Sequence, residues 1–202
     1  MNIGRNKNFT LLSLFCCRPG SQRSYLLKSI PAFIILLVLI ISLALVSGGC
    51  TRVAEVKLYF AKYEDNSMYL VPELRKIKKD DNFYRTVLEE LISGPKSEQL
   101  YPVLPSMVKV NSVKLEEDLA IADFSKEIIT DISEIPHSSA TEILAIFSIV
   151  DTLTEFDEIT KVRITVEGKR QGEIEGLYIE DFWGHVGIYE DFERNEDMLI
   201  KN

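Results

Sequence analysis

The sequence predicts an α+β domain of two layers, with one mixed or antiparallel sheet and two helices on one of its faces. Three observations predict it. Five segments beyond residue 50 carry strand patterns, either alternating or short and apolar throughout. Two longer segments repeat apolar residues at helical spacing. In chain order they run β, β, α, β, β, α, β, with a candidate sixth strand, the loose alternation with hairpins of an α+β fold.

The first strand is Glu55 to Ala61, where Val56, Leu58 and Phe60 share a face. Lys62 to Ser67 is a polar turn around Asp65-Asn66. Met68 to Arg75 returns as a second strand, and Pro72, which has no N–H to donate, places it at an edge. Asp81 is the expected N-cap of a helix from Asn82 to Ser93. Its apolar face is Phe83, Val87, Leu88, Leu91 and Ile92, and Gly94-Pro95 stops it. Val108 to Leu115 is the third strand, with a bulge expected near Asn111-Ser112 because the apolar frame shifts there. Glu116-Glu117-Asp118 turns the chain into Leu119 to Phe124, a central strand with Ile121 as its expected buried midpoint.

Ser139 followed by Glu142 is the expected capping box of a second helix, Ala140 to Phe156. Its buried stripe should be Ile143, Ile146, Phe147, Val150 and Leu153. Val162, Ile164 and Val166 form a fifth strand that Glu167-Gly168 ends, and Leu177 to Asp181 is the candidate sixth. The charge-rich residues from Glu190 are expected to fray.

Charge divides the chain. Residues 1–50 hold five basic residues and no acid; the rest holds 18 of the 23 basic residues against all 31 acids, a net of −13. The basic start, the apolar run from Ile30 to Val46 and the small residues Ser47-Gly48-Gly49 before Cys50 form the pattern of a lipoprotein leader, with Cys50 as the lipidated residue. Ser47 stands where leucine is usual. An uncleaved signal anchor is the alternative, since the 17-residue run falls between the lengths typical of a signal peptide and a membrane span. Either way the remainder is expected at the extracytoplasmic face of the cell membrane, with the N-terminus inside. Three units are expected: the leader at 1–50, one domain at 51–182 and a charged tail at 183–202. Cys16 and Cys17 fall in the leader and no cysteine follows Cys50, so no internal disulfide can form. The acidic balance argues against nucleic acid as a partner.

Candidate chemistry is sparse. His137 and His185 have no second metal-ligating residue at suitable spacing, and neither a phosphate loop nor a calcium loop is present. The pairs Glu89-Glu90, Glu116-Glu117 and Asp80-Asp81 could serve a glycoside hydrolase if held at the right separation, but in a chain with 31 acids such pairs arise by chance. No catalytic residue, metal site or cofactor is expected.

Several motifs in order resemble the GerMN domain family of sporulation and germination lipoproteins from Gram-positive bacteria, in a single copy. They are Val56-Lys57-Leu58-Tyr59-Phe60, Leu70-Val71-Pro72-Glu73 with Arg75, Leu91-Ile92-Ser93-Gly94-Pro95, Ala122-Asp123-Phe124-Ser125, Leu153-Thr154-Glu155-Phe156, and Val162 to Val166 with Gly168-Lys169. The segment Glu173 to Asp181 departs from the family pattern in being longer and more acidic. The resemblance implies a ring-building-motif-like fold and a non-enzymatic module that assembles envelope complexes, with envelope or sporulation proteins as partners and a homo-oligomer among the assemblies it allows. The expected contact edge is Met68, Tyr69, Val71 and Glu73 on the second strand. The alternative is an envelope carbohydrate-active hydrolase or ligand receptor using a carboxylate pair.

Overall fold

The computed structural model describes Ile34, Leu37, Arg52–Asp65 and Ser67–Leu199. Cys16, Cys17 and Cys50, and with them the lipidation site, lie outside the described residues, as does Asn66 of the first turn. The chain divides into two units, Met1–Cys50 and Thr51–Asn202, and the described elements belong to the second. Among the described residues no helix is long and apolar enough to cross a membrane.

The α+β class holds, but the strands do not form one sheet. β1 (Val53–Glu64) and β2 (Ser67–Lys78) pair along their full length as an isolated antiparallel ribbon. β3 (Val110–Glu116), β4 (Leu119–Phe124), β5 (Lys161–Val166) and β8 (Phe192–Glu193) make a mixed sheet in that order, with β4 and β5 parallel. The ribbon stays separate because the outer edge of β1 is already occupied. Ala61 exchanges backbone hydrogen bonds with Tyr101, and the Tyr59 N–H donates to the Thr152 hydroxyl at 3.2 Å.

Helices α1 (Phe83–Ile92) and α3 (Ser139–Leu153) touch each other, the ribbon and the four-stranded sheet, so they join the two β units. α1 buries the five residues expected of it. Its cap differs: Asn82 occupies the cap position, and the side chain of Asp80, not Asp81, accepts the Asn82 N–H at 3.0 Å. An aspartate bonds most easily to the N–H two residues on, which selects Asp80. Gly94, at φ +83°, ends the helix as expected.

α3 follows the short helix α2 (Glu127–Thr130) within the crossover that a parallel β4–β5 pair requires. Ser138, not Ser139, caps α3, in a reciprocal box with Thr141 rather than Glu142. Ile146, Val150 and Leu153 are buried as expected, but Ile143 and Phe147 are only half-buried. Leu144, Ala145 and Ile149 are buried as well, along with the polar Glu142, Ser148, Asp151 and Thr152. The helix is enclosed nearly all round, by β1 and β2 on one side and β5 and β8 on another, so a single stripe does not describe it.

The bulge in β3 falls where expected, between Val110 and Ser112. β4 is central, but its core face is Ala120, Ala122 and Phe124; Ile121 is half-buried on the other face. The sixth strand is reduced to a small hairpin of β6 (Glu173–Ile174) and β7 (Leu177–Tyr178). Residues 190–199 do not fray: Phe192 is buried opposite Val162, and Arg194 to Met198 pack on α3 or form a 3-10 turn.

Candidate interaction surface

Motif residues far apart in sequence meet in one network. The buried Arg75 donates to Glu73 (2.7 Å), Glu90 (2.9 Å) and the carbonyl of Gly94 (2.8 Å), with its guanidinium 5.8 Å from the Phe60 ring centre. Glu73 in turn accepts the N–H groups of Lys96 and Ser97, each at 3.0 Å. Partial burial of Glu73 opposes ionisation, but those N–H groups and Arg75 outweigh it and hold the carboxyl below its ordinary pKa. The network ties β2 to the end of α1 and to the loop after it.

That places the expected contact edge. Met68, Tyr69, Val71 and Glu73 are all half-buried; Met68 packs on the core and Glu73 is committed to the network. The exposed residues of β2 are Pro72, Leu74, Lys76 and Lys78, with Leu74 60% exposed. Hydrogen-bonding parity explains which backbone groups are open. Tyr59 and Ala61 bond away from β2, so their partners Pro72 and Leu70 also turn their backbone groups away from β1. The missing N–H of Pro72 therefore costs the ladder nothing. Leu199 bridges Leu70, and among the described residues no element pairs with the outward groups of Leu74 and Lys76.

The segment after β7 is locked from inside. Glu142, wholly buried, accepts the N–H groups of Gly187 (2.8 Å), His185 (2.9 Å) and Trp183 (3.4 Å). Gly187 has φ +78°, and a Cβ there would lie 2.6 Å from the Glu180 carbonyl oxygen, so glycine is required. Further along, Asp151 accepts the Asn195 N–H at 3.1 Å, and its second oxygen is buried without a partner. Burial raises its pKa to about 6 against the opposing pull of Asn195 and Arg194. Arg194 reaches the Asp151 carbonyl, the Tyr59 hydroxyl and Glu155. Burial and the hydrogen bond to Glu155 push the Tyr59 hydroxyl up to about 12.

The histidines are structural. His137 stacks on Trp183 with ring centres 4.4 Å apart, and burial pushes its pKa down. His185 serves through its backbone. The acidic pairs are dispersed into separate duties: Glu89 pairs with Arg85, Glu90 with Arg75, and Asp80 accepts the N–H of Asn82 in the turn that leads into α1. Among the described residues no three His, Cys, Asp or Glu side chains could jointly hold a metal ion. The sequence offered Glu142 only as a capping-box partner and did not single out Asp151, because an acid on a helix reads as solvent-facing. The only signal was their place on faces that α3's length of apolar residues leaves little room to expose.

The family model described as Germane, sporulation and spore germination, matches residues 57–172. Among solved structures, the tandem GerMN domains of the sporulation protein GerM from Bacillus subtilis align with 26% identity and a TM-score of 0.49, over 61% of this chain and 43% of that one. The chain thus spans less than half of that tandem structure. The first GerMN domain of the same protein aligns with 25% identity and a TM-score of 0.47, over 68% of this chain and 99% of that one. A Clostridium perfringens protein provisionally named a lipoprotein aligns with 24% identity and a TM-score of 0.45, over 74% and 95%. No curated protein matches the chain.

Proposed function

We propose a function from one premise: this chain belongs to the Germane family of sporulation and spore germination. It is a non-enzymatic assembly module of the cell envelope, held at the extracytoplasmic face by a lipid on Cys50 and acting through protein contacts. The observation that carries this reading is the outer edge of β2. From Pro72 to Lys78 it presents backbone groups and an exposed Leu74 on a rigid, fully paired ribbon, with the Arg75 network holding it from behind. An open edge on a fixed scaffold is a template for adding a strand from a neighbour. The motif residues Glu73, Arg75 and Gly94 serve that scaffold rather than any reaction.

The test places a photo-crosslinking residue at Leu74 in the full chain in its host, with Lys114 as the comparison position. A specific envelope protein or second copy joined through position 74, and lost on Pro72→Asp, supports the reading. Wall-glycan cleavage by the purified chain, abolished by one carboxylate substitution, overturns it in favour of a hydrolase. The anchor is tested separately: wild type should take a diacylglycerol label that Cys50→Ala lacks. Retention of residues 1–49 without label would make the leader a signal anchor instead.

A further inference from the structure

Residues Glu173 to Tyr189 lie beyond the part of the chain that the family model matches, yet they form a built surface. With residues 129–137 they line a cleft of about 290 Å³, and a second of about 170 Å³ neighbours it through the shared Asp181 and Gly184. Its wall is rigid. Trp183 donates from Nε1 to the Ile128 carbonyl at 2.7 Å, stacks on His137, and sits in the loop that Glu142 holds. Its rim is apolar and exposed: Ile132 is 71% exposed, Tyr178 55% and Leu177 43%. Val186 and Tyr189 continue the rim at the second cavity. Surface apolar residues usually occur singly; three around the larger cleft and two around its neighbour mark a contact site.

The charge around the cleft is one-sided. The segments that build it, 129–137 and 173–189, hold Asp131, Glu134, Glu173, Glu175, Glu180 and Asp181 and no lysine or arginine. Cations that flank these segments are paired: Lys126 with Glu175, Arg163 with Asp191, and Arg170 with Asp191 while it also donates to the Tyr189 carbonyl at 2.7 Å. The His137 ring donates to the Asp131 carbonyl, and its Nε2, buried at the wall, has no partner.

We infer that this cleft binds a short extended peptide segment of a partner protein, in which an aromatic or branched side chain is flanked by lysine or arginine. The apolar side chain would sit against Trp183 between Ile132 and Tyr178, and the cations would meet the unneutralised acidic surround. A preformed wall keeps the ordering cost low. A neutral saccharide would leave the acids uncompensated. This surface is separate from the β2 edge, so either can fail without the other.

Trp183 is the only tryptophan in the chain and lies on the cleft wall, so its fluorescence reports occupancy directly. The full chain in detergent is titrated with acetyl-Lys-Phe-Lys-Leu-Lys-amide. Comparisons are acetyl-Lys-Ser-Lys-Ser-Lys-amide, acetyl-Glu-Phe-Glu-Leu-Glu-amide and the N-acetylglucosamine tetramer. Saturable binding of the first alone, weakened about tenfold or more by Ile132→Ser with Tyr178→Ser, is the expected result. Both side chains are exposed, and each single variant is titrated alongside in case the double variant loses its thermal transition. Equal binding of the serine peptide, unchanged binding by the variants, saccharide binding lost in the variants, or no saturation by any ligand up to about 1 mM would each overturn the inference.

Discussion

The carboxylate of Glu142, on the first turn of α3, receives the backbone N–H of Gly187 at 2.8 Å from 45 residues further along the chain. The same carboxylate also holds the N–H of His185. A buried acid with several N–H donors around it acts here as an internal clasp, fixing a loop that has little regular structure of its own.

Removing that clasp should be costly. Glu142→Ala leaves buried donors unpaired, and we expect a loss of about 2–4 kcal/mol and a midpoint lowered by roughly 5–15 °C. Trp183 should lose its protected emission before the rest of the domain unfolds. Thermal scans followed by fluorescence and far-ultraviolet circular dichroism separate the two events; coincident, unshifted curves would contradict the clasp.

Asp151 should make stability depend on pH in the direction opposite to an ion-paired acid. Its folded pKa of about 6 exceeds the 3.8 of the unpaired group, so the folded state binds the extra proton between those values. Stability attributable to Asp151 therefore falls as pH rises through that window and is level above it. Asp151→Asn cannot titrate. Urea midpoints for both proteins at pH 4, 5, 6 and 7 should show wild type gaining on the variant as pH falls from 7 to 5. A constant difference would place the proton elsewhere.

The two faces of β4 should respond differently to charge. Ala122→Asp buries a carboxylate in the core and should abolish the cooperative transition. Ile121→Asp lies on the half-buried face and should retain a cooperative transition, weakened by about 1–2 kcal/mol. Equal damage from both would mean that the strand is enclosed on both sides.

Arg75→Lys should be poorly tolerated although charge is kept. One ammonium cannot span Glu73, Glu90 and the Gly94 carbonyl as the guanidinium does. We expect about 2 kcal/mol lost in chemical denaturation, against less than about 0.5 kcal/mol for Arg85→Lys at the exposed pair with Glu89.

Much of the fold was legible in the sequence because local signals agreed with the tertiary environment. Val56, Leu58 and Phe60 alternate and are buried; Phe83 to Ile92 repeat at helical spacing and pack inward; the frame shift in β3 became a bulge at Asn111; Gly94 took the left-handed turn its neighbours called for. Each of these depends on residues within a few positions of one another. The errors share the opposite cause. Ile121 looks more buried than Ala122 by composition, and only the choice of which face of β4 meets the core reverses them. The acids of α3 look exposed until donors arrive from the chain's far end.

By itself the sequence determined the class of the fold, the order of its five main strands and two longer helices, the family and the motif residues, since period, turn chemistry and spacing are local properties. Tertiary structure alone decided that β1 and β2 stand apart from the main sheet, because Tyr101 and Thr152 occupy the edge that would otherwise pair. It alone decided that residues 191–199 are bound rather than frayed. Phe192 finds the edge of β5, and Arg194 and Asn195 find acceptors on α3. Those partners lie about 30 to 45 positions away, and a charge-rich stretch carries no local mark of the acceptors that will neutralise it.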